Sequence, residues 1–180
     1  PEEMHKDVFS TGALPPGSTV QLGLKLLLQT IGKCLLINAS GEVTLLAKGD
    51  GIHVPFIHLG SNAAVVASTL ARCLKGAQNC PVVVYAGDRA TKMHLSDVHM
   101  ACKRHDTFIY VCYNNGGSES TGHLDKEESI APLVAEYATY TATAAVAYPE
   151  DFIGKLKKAR NMHGVSFIEI FTPSPALFRG

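Results

Sequence analysis

Two apolar runs, PVVVYA at 81–86 and TFIYVCY at 107–113, constrain this chain more than any other feature. Neither alternates polar with apolar residues, so neither suits a strand with one face in water. A strand that is apolar throughout needs cover on both sides, and a parallel sheet between helices supplies it. Residues 91–104, between the two runs, read as the connecting helix. The alternation continues in both directions. CLLIN (34–38) is a short apolar run ended by Ala39-Ser40-Gly41, TATAAVAY (141–148) reads as a strand, and VSFIEIF (165–171) closes the set.

Helical segments fill the intervals. Pro15-Pro16-Gly17 breaks the chain, after which Ser18 or Thr19 is placed to cap a helix with apolar positions Leu22, Leu26, Leu27 and Ile31. LGSNAAVVASTLARCLKG (59–76) has helical spacing and a stop at Gly76. KEESIAPLVAEYA (126–138) is helical, with Pro132 near its first turns or at a kink. Pro149 begins a helix that runs to Met162, where Glu150 and Asp151 suit the positive end of the helix dipole. The expected fold is α/β in three layers, a mainly parallel sheet with helices on both faces. Residues 1–180 read as a single domain, long enough to bury a proper core.

Several function classes are disfavoured. Sixteen basic residues balance sixteen acidic ones, and no basic cluster is interleaved with aromatics, which speaks against nucleic acid. No apolar run reaches the roughly 18–20 residues of a membrane span. PEEMHKDVFS at the start has no charged-then-apolar signal layout. Cys34, Cys73, Cys80, Cys102 and Cys112 include no C-x-x-C pair. A zinc site or an iron–sulfur cluster held by this chain alone is therefore not expected. The five read as reduced core thiols of a cytoplasmic protein.

Ligands of parallel α/β sheets bind beyond the carboxyl ends of the strands. Two tips invite chemistry: Gly87-Asp88 after one central run, and Asn114-Asn115-Gly116-Gly117 after the next. A right-handed crossover brings both tips to the same edge. There a carboxylate, a side-chain amide and a backbone carbonyl near Gly117 make an oxygen donor set for a hard cation such as Mg²⁺. Gly116 and Gly117 allow close approach of the backbone. The same residues admit a plainer reading, in which Asp88 caps the next helix and Asn-Asn-Gly-Gly is only a turn. Gly49-Asp50-Gly51, which no strong strand precedes, reads as a turn. His94 and His99 are about 140° apart around a helix and do not converge. His58, after an apolar run, is read as a solvent-facing or core histidine before a cofactor-facing one.

GDRATKMHLSDVHMACKRHDTFIYVCYNNGGSESTG (87–122) resembles the thiamine diphosphate motif of the beta subunits of 2-oxoacid:ferredoxin oxidoreductases, the pyruvate synthase type. That motif runs from G-D-G through a helix and a strand to Asn and a later T-G. The resemblance spreads along nearly the whole chain, through PGSTVQLGLKLLLQTIGKCLLINASG, VPFIHLGSNAAVVASTLARCL and ATAAVAYPEDFIGKLKKARNMHGVSFIEIFTPSP. It implies a thiamine-diphosphate-binding fold. By resemblance Asp88, Asn115 and the Gly117 carbonyl would hold Mg²⁺, and Gly87 and Arg89 would border the diphosphate. The family's activating carboxylate lies on a partner chain, so no catalytic acid or base is assigned here. Alpha- and gamma-type subunits, a ferredoxin-like cluster subunit, a 2-oxoacid and coenzyme A are the implied partners, with iron–sulfur clusters only in the partner subunits.

Departures from the family pattern bear on the cofactor. Arg89 replaces a glycine: it either grips phosphate through charge-assisted bonds or fills the pocket. Pro15-Pro16-Gly17-Ser18 stands where the family often has C-x-G-C, and Glu42 stands for a further cluster cysteine. Ser61 replaces a usual acidic residue. After Thr121-Gly122 the family's long covering segment is almost absent, which would leave the site less closed to water. Two functions follow: a beta subunit holding the cofactor, or a scaffold paralogue that keeps fold and interface without it.

Overall fold

The computed structural model describes residues 18–39, 43, 52, 54–60, 62–74, 80–118, 123–124 and 129–173. Their elements run α1 (Thr19–Ile31), β1 (Leu35–Asn38), β2 (Phe56–His58), α2 (Ala63–Cys73), β3 (Val82–Gly87), α3 (Asp88–Met93), α4 (Leu95–Lys103), β4 (Phe108–Asn114), β5 (Gly117–Ser118), β6 (His123–Leu124), α5 (Ala131–Ala135), β7 (Tyr140–Ala145), α6 (Pro149–Arg160) and β8 (Val165–Phe171). Six strands form one sheet in the order β2-β1-β3-β4-β8-β7, and every pairing in it is parallel. The sequence expectation of a parallel α/β fold holds.

Burial explains which runs were unbroken. β3 and β4 are buried at every position, and β8 at all but its last. The edge strands β2 and β7 carry more exposed positions and weaker apolar patterns. One core lies between the sheet and the α1–α6 pair, with Leu24, Leu27, Phe152 and Leu156 against Val83, Val111 and Ile168. The other lies under α2, α4 and α5, with Ala64, Ala67, Val98, Ala101 and Val134 against Ile37, Val84 and Phe167. Three layers result.

Local departures from the sequence reading have physical causes. In α1 the inward face is Val20, Leu24, Leu27, Leu28 and Ile31, while Leu22 is 45% exposed. Ser18 occupies the cap position without a side-chain cap bond, and Thr19 Oγ1 instead donates to the Pro173 carbonyl at 2.9 Å. The single helix expected over 91–104 is two: α3 starts at Asp88, directly after Gly87, and His94 (φ −122°) interrupts it before α4. The helix expected over 126–138 is described only as α5, with Pro132 in its first turn, where a missing N–H costs no internal bond. Pro149 does start α6, with Glu150 and Asp151 in its first turn. Pro15, Pro16, Gly17, Glu42, the Gly49-Asp50-Gly51 turn, Ser61, Gly76, Thr121 and Gly122 lie outside the described residues. No described helix is long and apolar enough to cross a membrane.

Candidate cofactor site at the carboxyl edge

The strand order reverses at β1: the chain leaves it for β2 on one side and then crosses back to β3 on the other. Such a switch point opens a crevice beyond the carboxyl ends of the two strands. β3 ends there at Gly87. Its register with β4 pairs Gly87 with Tyr113, so Asp88 and Asn114 follow side by side at neighbouring tips, and Asn115 comes one residue later. β3 and β4 are neighbours and parallel, so both tips lie at the same edge, as expected from sequence.

Both oxygen-bearing side chains are tucked inward: Asp88 is 5% exposed and Asn115 7%. Gly87, not Asp88, holds the cap position of α3, so the reading of Asp88 as the helix cap does not describe the structure. A side chain at Gly87 would be tight: an added Cβ would sit 3.2 Å from the Tyr113 ring and hydroxyl, so the tyrosine would have to give way by a few tenths of an ångström. Thr91 anchors the turn from below. Its hydroxyl donates to the Gly87 carbonyl at 2.8 Å and receives the Tyr110 hydroxyl at 3.0 Å. Gly116 turns the β4 exit with φ +75°, a conformation costly for residues with a Cβ. Gly117 then pairs with Leu124 in the antiparallel β5–β6 ladder. Arg89 is exposed, one residue beyond Asp88.

Carboxylate and amide oxygens suit a hard cation, which prefers oxygen and completes its shell with water or phosphate. Among the described residues no three His, Cys, Asp or Glu side chains converge. A cation held here would therefore draw further ligands from backbone carbonyls, water or a bound anion. On the chemistry of these donors, Mg²⁺ with a diphosphate fits the turn.

The histidines of the sequence reading do other work. His94 Nδ1 lies 3.5 Å from Asp97, and His99 Nε2 is 2.9 Å from the Leu133 carbonyl with its ring against Tyr137. His58 is exposed at the end of β2, where its Nδ1 bonds Asn38 Nδ2 at 3.1 Å. Asn38 is fully buried at the end of β1, and its Oδ1 has no hydrogen-bond partner among the described residues.

Sequence reasoning missed Glu169. It is fully buried on β8, paired in register with Cys112 and bonded to the Asn114 side chain at 2.9 Å. A charged residue at the centre of the apolar run VSFIEIF was the available signal, since a buried charge in a sheet needs a paired set of donors.

Thiol chemistry follows the same burial. Burial pushes the Cys34 thiol up to about 12 and Cys102 to about 11, and it drives Cys112 well above the ordinary range. At Cys112 the Thr91 hydrogen bond opposes that rise, while the Glu169 and Asp88 carboxylates add to it. Cys73 is exposed and Cys80 half-buried, so the expectation of core thiols holds for three of the five. Brief alkylation of the folded protein near pH 8, mapped by mass spectrometry, is expected to label Cys73 first. Cys34, Cys102 and Cys112 should react only after unfolding.

Residues 57–170 match the family model described as thiamine pyrophosphate enzyme, C-terminal TPP binding domain. The pyruvate synthase subunit PorB of Methanothermobacter marburgensis is 31% identical, over 96% of this chain and 71% of the relative. The chain is a member of the beta-subunit family of 2-oxoacid:ferredoxin oxidoreductases. The ketoisovalerate oxidoreductase subunit VorB of Pyrococcus horikoshii is 28% identical to this beta-type chain, over 99% of it and 72% of the relative. The alignment to PorB runs over 207 residues, longer than the chain itself, so that relative carries internal segments without counterpart here. Among solved structures, a chain of the 2-oxoglutarate:ferredoxin oxidoreductase of Magnetococcus marinus superposes with a TM-score of 0.70 at 18% identity, covering 93% of this subunit and 67% of that chain. Benzoylformate decarboxylase of Polynucleobacter necessarius gives 0.71 at 18%, covering 94% and 35%. At that identity these two establish the fold of the beta-type subunit. Its family membership makes it an oxidoreductase subunit with a thiamine-diphosphate-binding domain.

Proposed function

We propose that this subunit holds Mg²⁺–thiamine diphosphate at the carboxyl edge, for oxidative decarboxylation of a pyruvate-like 2-oxoacid to an acyl-CoA. Asp88 and Asn115 supply side-chain oxygens to the metal, and the Gly117 carbonyl is its third protein ligand. Gly87 and Arg89 border the diphosphate. When bound, thiamine diphosphate supplies the nucleophilic carbon and the electron sink that decarboxylation requires. This chain fixes the phosphate end and lines the crevice. An alpha-type partner completes the site, and alpha- and gamma-type and ferredoxin-like subunits carry coenzyme A binding, the iron–sulfur clusters and electron exit, in the cytoplasm.

One observation carries the reading: two buried oxygen donors, Asp88 and Asn115, stand at adjacent strand tips beside the switch point of the sheet. Arg89 favours a second reading, a scaffold that keeps the interface without the cofactor, because it occupies the place of a family glycine.

Titration of the assembled complex with thiamine diphosphate, with Mg²⁺ present, separates the two. With Arg89 gripping a phosphate oxygen, Arg89→Gly weakens binding by roughly 10- to 100-fold, the worth of one charge-assisted hydrogen bond. Tighter binding by the variant would make Arg89 an obstruction and favour the scaffold reading. No binding by parent or variant would remove the cofactor from this site.

A further inference from the structure

Glu169 accepts four hydrogen bonds, three from the Ser129–Ala131 segment and one from the Asn114 side chain. Its Oε2 takes the Ser129 hydroxyl at 2.5 Å and the backbone N–H groups of Ile130 and Ala131 at 2.9 Å each. Its Oε1 takes the Asn114 amide N–H at 2.9 Å. With that nitrogen committed, the Asn114 Oδ1 faces the other way and receives the Gly116 N–H at 3.1 Å. The Asn114 carbonyl is held as well, by Thr172 N–H at 2.7 Å and its hydroxyl at 3.2 Å. Glu169 and Thr172 are fully buried and Asn114 is 4% exposed.

An amide can face either way; a carboxylate that only accepts removes the choice. We infer that Glu169 is a positioning residue: it fixes the orientation of the Asn114 amide, and through Gly116 N–H sets the turn that presents Asn115 and Gly117 at the carboxyl edge. The same carboxylate holds the first N–H groups at α5, so the β4 exit and the start of α5 share one anchor. The inference rests on the cofactor reading only for what the turn holds. The orientation itself is readable without any ligand.

An isosteric exchange tests it. In Glu169→Gln the side-chain oxygen must stay with Ser129, Ile130 and Ala131, which turns the new NH₂ against the Asn114 NH₂. Asn114 then flips, and its NH₂ confronts Gly116 N–H. Adding Asn114→Asp repairs the conflict, because the new carboxylate accepts from both the glutamine NH₂ and Gly116 N–H, and the buried cluster again holds one carboxylate.

Two readouts apply to the assembled complex. Amide hydrogen exchange of the peptide spanning Asn114–Gly117 is expected to speed up at least tenfold in Glu169→Gln and to return to the parent rate in the double variant. Mg²⁺-dependent thiamine diphosphate affinity is expected to fall about 10- to 100-fold in the single variant, as for other residues that orient a metal ligand, and to recover within about threefold in the double. A purely structural glutamate would not be rescued by relocating its charge to position 114. Unchanged exchange in Glu169→Gln, or a double variant no better than the single, overturns the inference. If the parent binds no cofactor, the cofactor reading fails and the exchange rates alone decide this one.

Discussion

Asp88→Ala is expected to abolish Mg²⁺-dependent binding of thiamine diphosphate, a loss of at least roughly 100-fold, while the complex still assembles. Asp88 brings the carboxylate directly beside this turn, 5% exposed, and a hard cation held by such donors depends on formal negative charge from its ligands. The amide of Asn115 and a backbone carbonyl bring oxygen but no charge. Assembly should survive, because Gly87, not Asp88, caps α3, and the packing under the turn comes from Thr91 and Tyr110. Asp88→Asn keeps the shape and one oxygen donor and is expected to fall between parent and alanine variant. Calorimetric titration with and without Mg²⁺ reads the effect. Retained affinity in Asp88→Ala would show that the metal is held elsewhere.

Phe152→Ala is expected to cost about 3–5 kcal/mol of stability, the range for emptying a fully buried aromatic site. Phe152 has no exposed surface and fills the junction of α6 with α1 and the β8 side of the sheet. α1 and α6 close the same face of the sheet, so a cavity there loosens both helices and collapse has little slack to repair it. In a chain of this length the change corresponds to a drop in Tm of roughly 10 °C. Leu133→Ala, at a residue 52% exposed on α5, serves as the control and should stay within about 0.5 kcal/mol. Thermal unfolding followed by circular dichroism compares the two. Equal effects would mean that the α1–α6 face does not carry the core assigned to it.

The sequence made the centre of the fold plain and its margins obscure. β3, β4 and β8 are covered on both faces, so burial wrote an unbroken apolar run at each. β2 is an edge strand of three residues, legible mainly through the family resemblance. β5 and β6 have two residues each, too few for any periodicity to mark them. His94 breaks α3 from α4 in a segment whose composition reads as one helix.

At the candidate site, placing Asp88 and Asn115 at one edge needed only strand order and handedness. The orientation of Asn114 did not follow from any local pattern. It depends on a carboxylate 55 residues away that becomes its neighbour through the β4–β8 register. Asn38 and His58 likewise meet only because β1 and β2 pair at their last residues.

Mg²⁺–thiamine diphosphate held by this chain within a multi-subunit oxidoreductase is what we propose. A native mass spectrum of the complex, isolated anaerobically from its source, tests it most directly by reporting partner chains and retained cofactor together. The expected result is an assembly with alpha- and gamma-type chains that carries a thiamine diphosphate–magnesium adduct. The same assembly without the adduct, under conditions where a cofactor-loaded relative keeps its own, would contradict it and leave this chain a scaffold.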